Sequence, residues 1–159
     1  VGDDVKLGDG CRLLSHVVLD GNCEIGERCT LYPFATVGSP PQDLKYRGGP
    51  TRLIVGKENI FREYVNVNVG TEAGGGVTTI REQNLFMAYT HVAHDCIIAD
   101  QVIMANAASL GGHVKVEDWA ILGGFTIVHQ FCRIGAHSFC GMGSAITRGS
   151  IRPPALSGG

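Results

Sequence analysis

The run VIMANAASLGGHVKVEDWAILGG, residues 102–124, decides the fold, because a large apolar residue recurs in it at every sixth position. The same spacing continues on both sides without a miss, at Ile80, Phe86, Val92, Ile98, Met104, Leu110, Val116, Leu122, Val128, Ile134, Cys140 and Ile146. A small or β-branched residue follows each anchor from Phe86 to Cys140 by four positions, as Ala108 follows Met104. An amphipathic α-helix would show apolar spacings of three and four. The period of six instead predicts an all-β fold, a parallel β-helix of hexapeptides.

The repeat also runs from Val1 to Val37 and from Val55 to Val67, with two interruptions. The first, about 38–54, contains SPPQDLKYRGGPTR and leaves the phase unchanged, and the second, about 71–79, contains TEAGGGVT and shifts the phase by one. We interpret both as loop insertions in one β-helix domain, residues 1–155, with 156–159 beginning a C-terminal region. A smooth solenoid has no pocket, so the first loop is the natural element to close a cleft.

Three faces of six residues predict a triangular coil of about 18 residues, with successive coils stacked about 4.8 Å apart. In this register five cysteines fall at the small inward position and one at an anchor, and they are Cys11, Cys23, Cys29, Cys96, Cys132 and Cys140. The chain has no C-x-x-C pair, so we predict buried reduced thiols rather than a metal cage or a redox motif. Reduced thiols are typical of a cytoplasmic protein.

The charge and hydropathy of the chain exclude several classes of function. The formal net charge is −2, which gives no electrostatic case for binding nucleic acid or an anionic membrane. No apolar run approaches the roughly 20 residues that span a bilayer, so no stable membrane insertion is predicted.

The 18-residue coil length predicts which histidines lie close together, and they form a candidate functional site. His94, the pair Gly112/His113 and the pair His129/Gln130 lie on one corner of three successive coils. A single histidine in a solenoid is usually an ordinary hydrogen-bonding residue. Several in register beside two insertions indicate a functional cluster, and histidine is the side chain best suited to proton transfer near neutral pH.

Six strings carry a family resemblance: QDLKY with GGPTR (42–52), FREYV (61–65), GGGVT (74–78), HVAHDC (91–96), HVKVED (113–118) and VHQFCRIGAHSF (128–139). In order and spacing they resemble the bacterial UDP-N-acetylglucosamine acyltransferase family, which begins lipid A biosynthesis. The resemblance implies a homotrimer of left-handed β-helices with active sites between subunits. It also implies transfer of a 3-hydroxyacyl chain from acyl carrier protein to the 3-position of UDP-N-acetylglucosamine, without a separate cofactor, since the chain arrives on the carrier's phosphopantetheine.

By motif, the resemblance assigns the general base to His94, support of its imidazole to Asp95, and the oxyanion donor to the backbone N–H of Gly112. Neighbouring residues of an extended strand point to opposite faces. Asp95 can therefore reach His94 only if a corner turns the chain between them.

The remaining roles implied by the resemblance concern the substrates. His113 and Gln130 are sugar contacts with His129 nearby, and His91 is a supporting or substrate-edge residue. On the first loop, Asp43 and Lys45 would meet a sugar hydroxyl and a phosphate oxygen, with Gln42 beside them. Met142 would end the acyl groove and favour a shorter acyl chain.

The sequence departs from the family at VNVNVGT (65–71), where Asn68 and Val69 replace a histidine and an arginine. The family's C-terminal helical domain is also expected to be absent. Three alternatives remain open: a sister N-acyltransferase or a 3-amino-sugar acceptor on the same fold, a β-helix zinc enzyme using His94 and His113, and a non-catalytic solenoid. Acyl chain length and the choice between oxygen and nitrogen at the sugar 3-position are not readable from these residues.

Overall fold

The structure, a computed structural model, describes residues 1–152. In them the chain forms 22 short β-strands and one 3-10 turn, Glu72–Gly74. The predicted domain end at residue 155 and the segment 156–159 lie outside the described residues. The strands wind as a left-handed parallel β-helix, which confirms the predicted fold class.

The strands form three parallel sheets, one for each face of the coil. Sheet 1 contains β1 (Val5–Leu7), β4 (Asn22–Ile25), β7 (Arg52–Val55), β10 (Val77–Ile80), β13 (Ile97–Ile98), β16 (Lys115–Val116), β19 (Arg133–Ile134) and β22 (Ser150–Ile151). Sheet 2 contains β2 (Arg12–Leu13), β5 (Thr30–Leu31), β8 (Ile60–Phe61), β11 (Leu85–Phe86), β14 (Ile103–Met104), β17 (Ile121–Leu122) and β20 (Phe139–Cys140). Sheet 3 contains β3 (Val18–Leu19), β6 (Thr36–Ser39), β9 (Asn66–Asn68), β12 (His91–Val92), β15 (Ser109–Leu110), β18 (Ile127–Val128) and β21 (Ala145–Ile146).

The register of the sheets reproduces the predicted coil length. Ile98 pairs with Val116, and Val116 pairs with Ile134, each one coil further along the chain. Across the second insertion His91 pairs with Asn66, so that coil is longer by the inserted residues. The insertions therefore extend single coils and leave the stacking of the anchors intact.

The apolar anchors fill one continuous core, in which Phe61, Phe86, Met104 and Leu122 are fully buried. Phe61 and Phe86 stack with ring centroids 4.9 Å apart. The interior is narrow and is filled by stacks of like residues, which explains how a chain with few aromatic residues can fill its core. Leu7 and Leu13 are 40% and 36% exposed because they belong to the first described coil and have a neighbouring coil on one side only.

A residue in the left-handed region turns the chain at most corners of the described coils, and most of these residues are not glycines. Phe34, Tyr64 and Tyr89 adopt this conformation on one corner and stack with centroids 5.0 and 4.9 Å apart. Stacking partly offsets the steric cost of a positive φ in a side-chain-bearing residue. Glycines directly after the anchors serve a different purpose: a Cβ at Gly123 would lie 2.7 Å from the Cys140 carbonyl oxygen of the next coil.

All six cysteines are free thiols; Cys11 is partly exposed and the other five are buried. Burial raises the pKa of Cys23 to about 12, with the nearby Glu24 charge adding to it. Burial likewise raises the pKa of Cys29 to about 11 and that of Cys96 to about 12. These thiols therefore stay protonated and unreactive at neutral pH.

We expect the raised thiol pKa values to make the protein lose stability in mild alkali. Above about pH 9 the unfolded chain releases these protons and the folded chain keeps them, so the free energy of unfolding falls by up to ~1.4 kcal/mol per thiol and pH unit. Urea unfolding at pH 8, 9 and 10 measures the slope. In Cys23→Ala the free energy of unfolding should fall less steeply with pH, by the contribution of one thiol. Equal slopes in wild type and Cys23→Ala would contradict this account.

Candidate active site

A cavity of about 320 Å³ lies on the outer side of sheet 3 and is lined by five of the eleven predicted site residues. Its walls include Gln42, Asn68, His91, His94, Gly112 and Gln130. Residues Ile127 and Val128 give the same cavity an apolar end. A larger cavity of about 630 Å³ lies between the first loop and the N-terminal coils and contains none of the predicted site residues.

His94 and Asp95 are adjacent in sequence yet meet through their side chains. Asp95 has φ 59°, so the chain turns a corner there and the two side chains come to the same side. His94 Nδ1 lies 2.8 Å from Asp95 Oδ2. An ionised carboxylate only accepts hydrogen bonds, so in the neutral imidazole Nδ1 carries the proton and Nε2 has the lone pair.

Thr71, which the sequence analysis did not single out, fixes the Asp95 carboxylate. The Thr71 hydroxyl donates to Asp95 Oδ2 at 2.6 Å, and its backbone N–H donates to both oxygens at 3.1 and 3.2 Å. The Asp95 backbone N–H in turn donates to Thr78 Oγ1 at 2.8 Å. The second insertion therefore orients the carboxylate that orients the histidine.

Gly112 lies directly against the His94 ring. A Cβ at this position would fall 2.5 Å from His94 Cε1 and 2.7 Å from Nε2, so only glycine fits beneath the imidazole. Within residues 1–152 the Gly112 N–H has no hydrogen-bond acceptor, and neither do the N–H groups at His94 and Gln130, the same corner position of the adjacent coils. An N–H without an acceptor is thus a general feature of this corner position. At Gly112 the absence of a side chain leaves that N–H open to a ligand.

His113 stands beside this pair and is held by an aromatic residue that the sequence analysis missed. Its ring meets His94 edge-on with centroids 5.2 Å apart and stacks on Phe131 at 4.4 Å. Phe131 lies one 18-residue coil after His113, so the repeat itself contained the signal.

His91 lines the cavity on β12 and is half-buried. Its Nδ1 lies 2.9 Å from Asn66 Oδ1 on β9. Burial, and then the neighbouring His94, lower the pKa of His91, so it is neutral at physiological pH.

The other predicted residues lie outside this cavity. Asp43 turns its carboxylate back to the Lys45 N–H at 2.9 Å, and Lys45 is exposed on the loop. His129 is exposed and belongs to a small neighbouring cavity, whereas Met142 is 82% exposed at the end of sheet 2.

Three potential metal ligands, on His94, Asp95 and His113, have donor atoms within 4.8 Å of one another. Asp95 is therefore the residue nearest to serving as the third ligand that a zinc site with His94 and His113 would need. Its oxygens already accept from Thr71 and His94, so an ion would have to displace these hydrogen bonds. The donor set consequently fits an oriented imidazole better than a metal centre.

In the described part of the chain, no helix has the length and hydropathy to cross a membrane.

Comparison with known proteins gives three results. The family model for bacterial transferase hexapeptides (six repeats) matches residues 1–39. The acyl-[acyl-carrier-protein]–UDP-N-acetylglucosamine O-acyltransferase of Alkalilimnicola ehrlichii is 56% identical over 125 residues, which are 79% of this chain and 48% of that protein. The protein of the same name from Thermodesulfovibrio yellowstonii is 53% identical over 120 residues, 76% of this chain and 46% of its own.

Among solved structures, LpxA from Acinetobacter baumannii superposes with a TM-score of 0.90 at 40% sequence identity, covering 94% of this chain and 60% of that one. The chain spans about half the length of the curated relatives that it matches.

Proposed function

Because this chain belongs to the family of hexapeptide acyltransferases that act on UDP-N-acetylglucosamine, we propose that it transfers a 3-hydroxyacyl chain from acyl carrier protein to the sugar's 3-position. This is the first step of lipid A biosynthesis. The observation that carries the proposal is His94, with Nδ1 held by Asp95 and with Nε2 beside Gly112 in an open cavity.

In the proposed reaction His94 Nε2 takes the proton of the sugar 3-hydroxyl while its oxygen attacks the thioester carbonyl carbon. Asp95, itself fixed by Thr71, keeps the imidazole in the required tautomer and orientation. A new C–O bond forms, and the negative charge on the former carbonyl oxygen meets the Gly112 N–H. Collapse breaks the C–S bond, and the departing phosphopantetheine sulfur recovers the proton from His94.

The cavity supports a division between the two substrates. Its polar wall, which includes His91 and Gln130, suits the sugar, while Ile127 and Val128 suit the first carbons of the acyl chain. No separate cofactor enters this scheme, because the acyl carrier protein supplies the activated group.

We further propose that the enzyme works as a homotrimer in the cytoplasm, with the loop of one subunit completing the site of the next. Asp43 and Lys45 do not line the cavity of their own chain. The outer face of sheet 2 carries an apolar row, formed by Ile60, Leu85, Ile103, Ile121 and Phe139. Phe139 alone is 70% exposed, and such a row supports burial between copies of the chain.

The direct test is transfer from 3-hydroxyacyl carrier protein to UDP-N-acetylglucosamine, with the product read by mass spectrometry. We expect a mass increase of one acyl group on the sugar that depends on both substrates. Hydrolysis of the thioester without acylated sugar would contradict the proposal.

Met142 should limit acyl chain length. Met142 is 82% exposed, and in the proposed arrangement its bulky, flexible side chain meets the far end of an extended acyl chain. We expect Met142→Gly to move the preferred substrate to a longer chain, with kcat/KM for the longer chain rising about tenfold, the worth of one or two buried methylenes. Competition between carrier-bound chains of different lengths measures this, and an unchanged length profile would contradict it.

A further inference from the structure

The wall of the cavity contains a buried polar atom that has no hydrogen-bond partner and no role in the proposed reaction. Asn68 lines the cavity and is 1% exposed, and its Oδ1 is buried without a hydrogen-bond partner among residues 1–152. A buried carboxamide oxygen left unpaired is destabilising, and in native proteins such atoms are uncommon. Its position in the wall of a ligand cavity indicates that the missing partner arrives with the ligand.

The neighbouring hydrogen bonds determine which end of the Asn68 side chain is free. Thr36 Oγ1 donates to the Val65 carbonyl and accepts from Asn66 Nδ2 at 2.9 Å. Asn66 therefore turns Oδ1 toward His91 and Asn68. That oxygen accepts from Asn68 Nδ2 at 3.3 Å, which leaves Asn68 Oδ1 as the unused end.

The same network makes His91 an acceptor as well. Asn66 Oδ1 receives the proton on His91 Nδ1, so Nε2 of a neutral imidazole keeps its lone pair. Asn68 and His91 thus give this part of the cavity uncharged acceptors, and a ligand must bring hydrogen-bond donors to match them.

We propose that Asn68 is a specificity-determining residue of the acceptor site, whose Oδ1 accepts a hydrogen bond from one O–H or N–H donor of the nucleotide sugar. This inference rests on the proposed function and names a contact within it. The bond from Asn68 to Asn66 is long and the χ2 torsion of asparagine is soft, so the carboxamide can turn toward a bound sugar.

The test is a set of dissociation constants measured by calorimetry for wild type and Asn68→Leu. The ligands are UDP-N-acetylglucosamine and analogues that each lack one donor: the 3-, 4- and 6-hydroxyls and the acetamido N–H. Leucine keeps the branched shape of asparagine and removes both of its hydrogen-bonding atoms. We expect the parent sugar to bind about tenfold more weakly to Asn68→Leu, as for one lost hydrogen bond. For the one analogue that lacks the matching donor, the two proteins should bind within about twofold.

Thr90→Val is the matched control, because Thr90 Oγ1 is also buried and unpartnered but does not line the cavity. It should leave all dissociation constants unchanged. If Asn68→Leu does not fold, Asn68→Ala supports the same comparison.

An equal penalty on every analogue, or no penalty on any, would overturn the inference while wild type still transfers the acyl chain. A wild-type chain that transfers nothing would overturn the proposed function itself, and the inference with it. The transfer assay on wild type therefore distinguishes the two failures.

Discussion

Replacement of His94 by alanine should lower acyl transfer by roughly 10²–10⁴-fold, the usual contribution of a positioned general base. The reason lies in the site: His94 is the only described side chain that combines a carboxylate partner at Nδ1 with an Nε2 facing the Gly112 corner. The loss should appear in kcat, because in the proposed reaction the imidazole acts as the sugar oxygen attacks and contributes little to ground-state binding. The measurement is steady-state transfer by mass spectrometry with saturating carrier substrate.

His137→Ala is the matched control for this change. His137 also sits at a left-handed corner, but it stacks on Trp119 on a different edge of the coil and does not line the cavity. Its activity should stay within about twofold of wild type, as is usual for a surface substitution away from a site. Added imidazole should restore part of the activity of His94→Ala, since it refills the space with the same base. Equal activity in wild type and His94→Ala would remove His94 from the mechanism.

More of this site can be predicted from sequence than is usual for a functional site, because the hexapeptide period converts sequence distance into spatial register. From the 18-residue coil alone, Gly112 is placed one coil after His94, and the structure puts a hypothetical Cβ of Gly112 against the His94 ring. Phe131 follows from the same arithmetic one coil after His113. Periodic stacking is local and repetitive, so a pattern of residues is sufficient to specify it.

What the period cannot predict is the conformation of the insertions. Thr71 precedes Asp95 by an interval that includes the second insertion, and only the folded turn at Glu72–Gly74 brings its hydroxyl to the carboxylate. Asp43 and Lys45 likewise lie on a loop whose path depends on its own hydrogen bonds rather than on the repeat. The corner at Asp95 could be predicted only in part. Asp95 needs a turn to reach His94, but the sequence did not reveal that the φ of Asp95 is positive.

Gly112→Ala should reduce transfer by at least about 10²-fold, through two effects of one methyl group. A Cβ at this position lies 2.5 Å from His94 Cε1, so the imidazole must move off its line with the sugar oxygen. Displacement of a catalytic group by about 1 Å is enough for a loss of this order. The methyl group also covers the approach to the Gly112 N–H, and loss of one oxyanion donor alone lowers kcat about 10²–10³-fold.

Gly124→Ala separates this effect from a general intolerance of alanine in the coils. A Cβ at Gly124 would meet only the Asn106 carbonyl oxygen, at 3.4 Å, and should leave transfer unchanged. Because both changes add one methyl group to a stacked coil, similar melting temperatures with unequal activities would assign the loss to the His94–Gly112 contact. If Gly112→Ala keeps its full rate, then neither the free N–H nor the tight approach of the imidazole is needed, and the oxyanion must be stabilised elsewhere in the cavity.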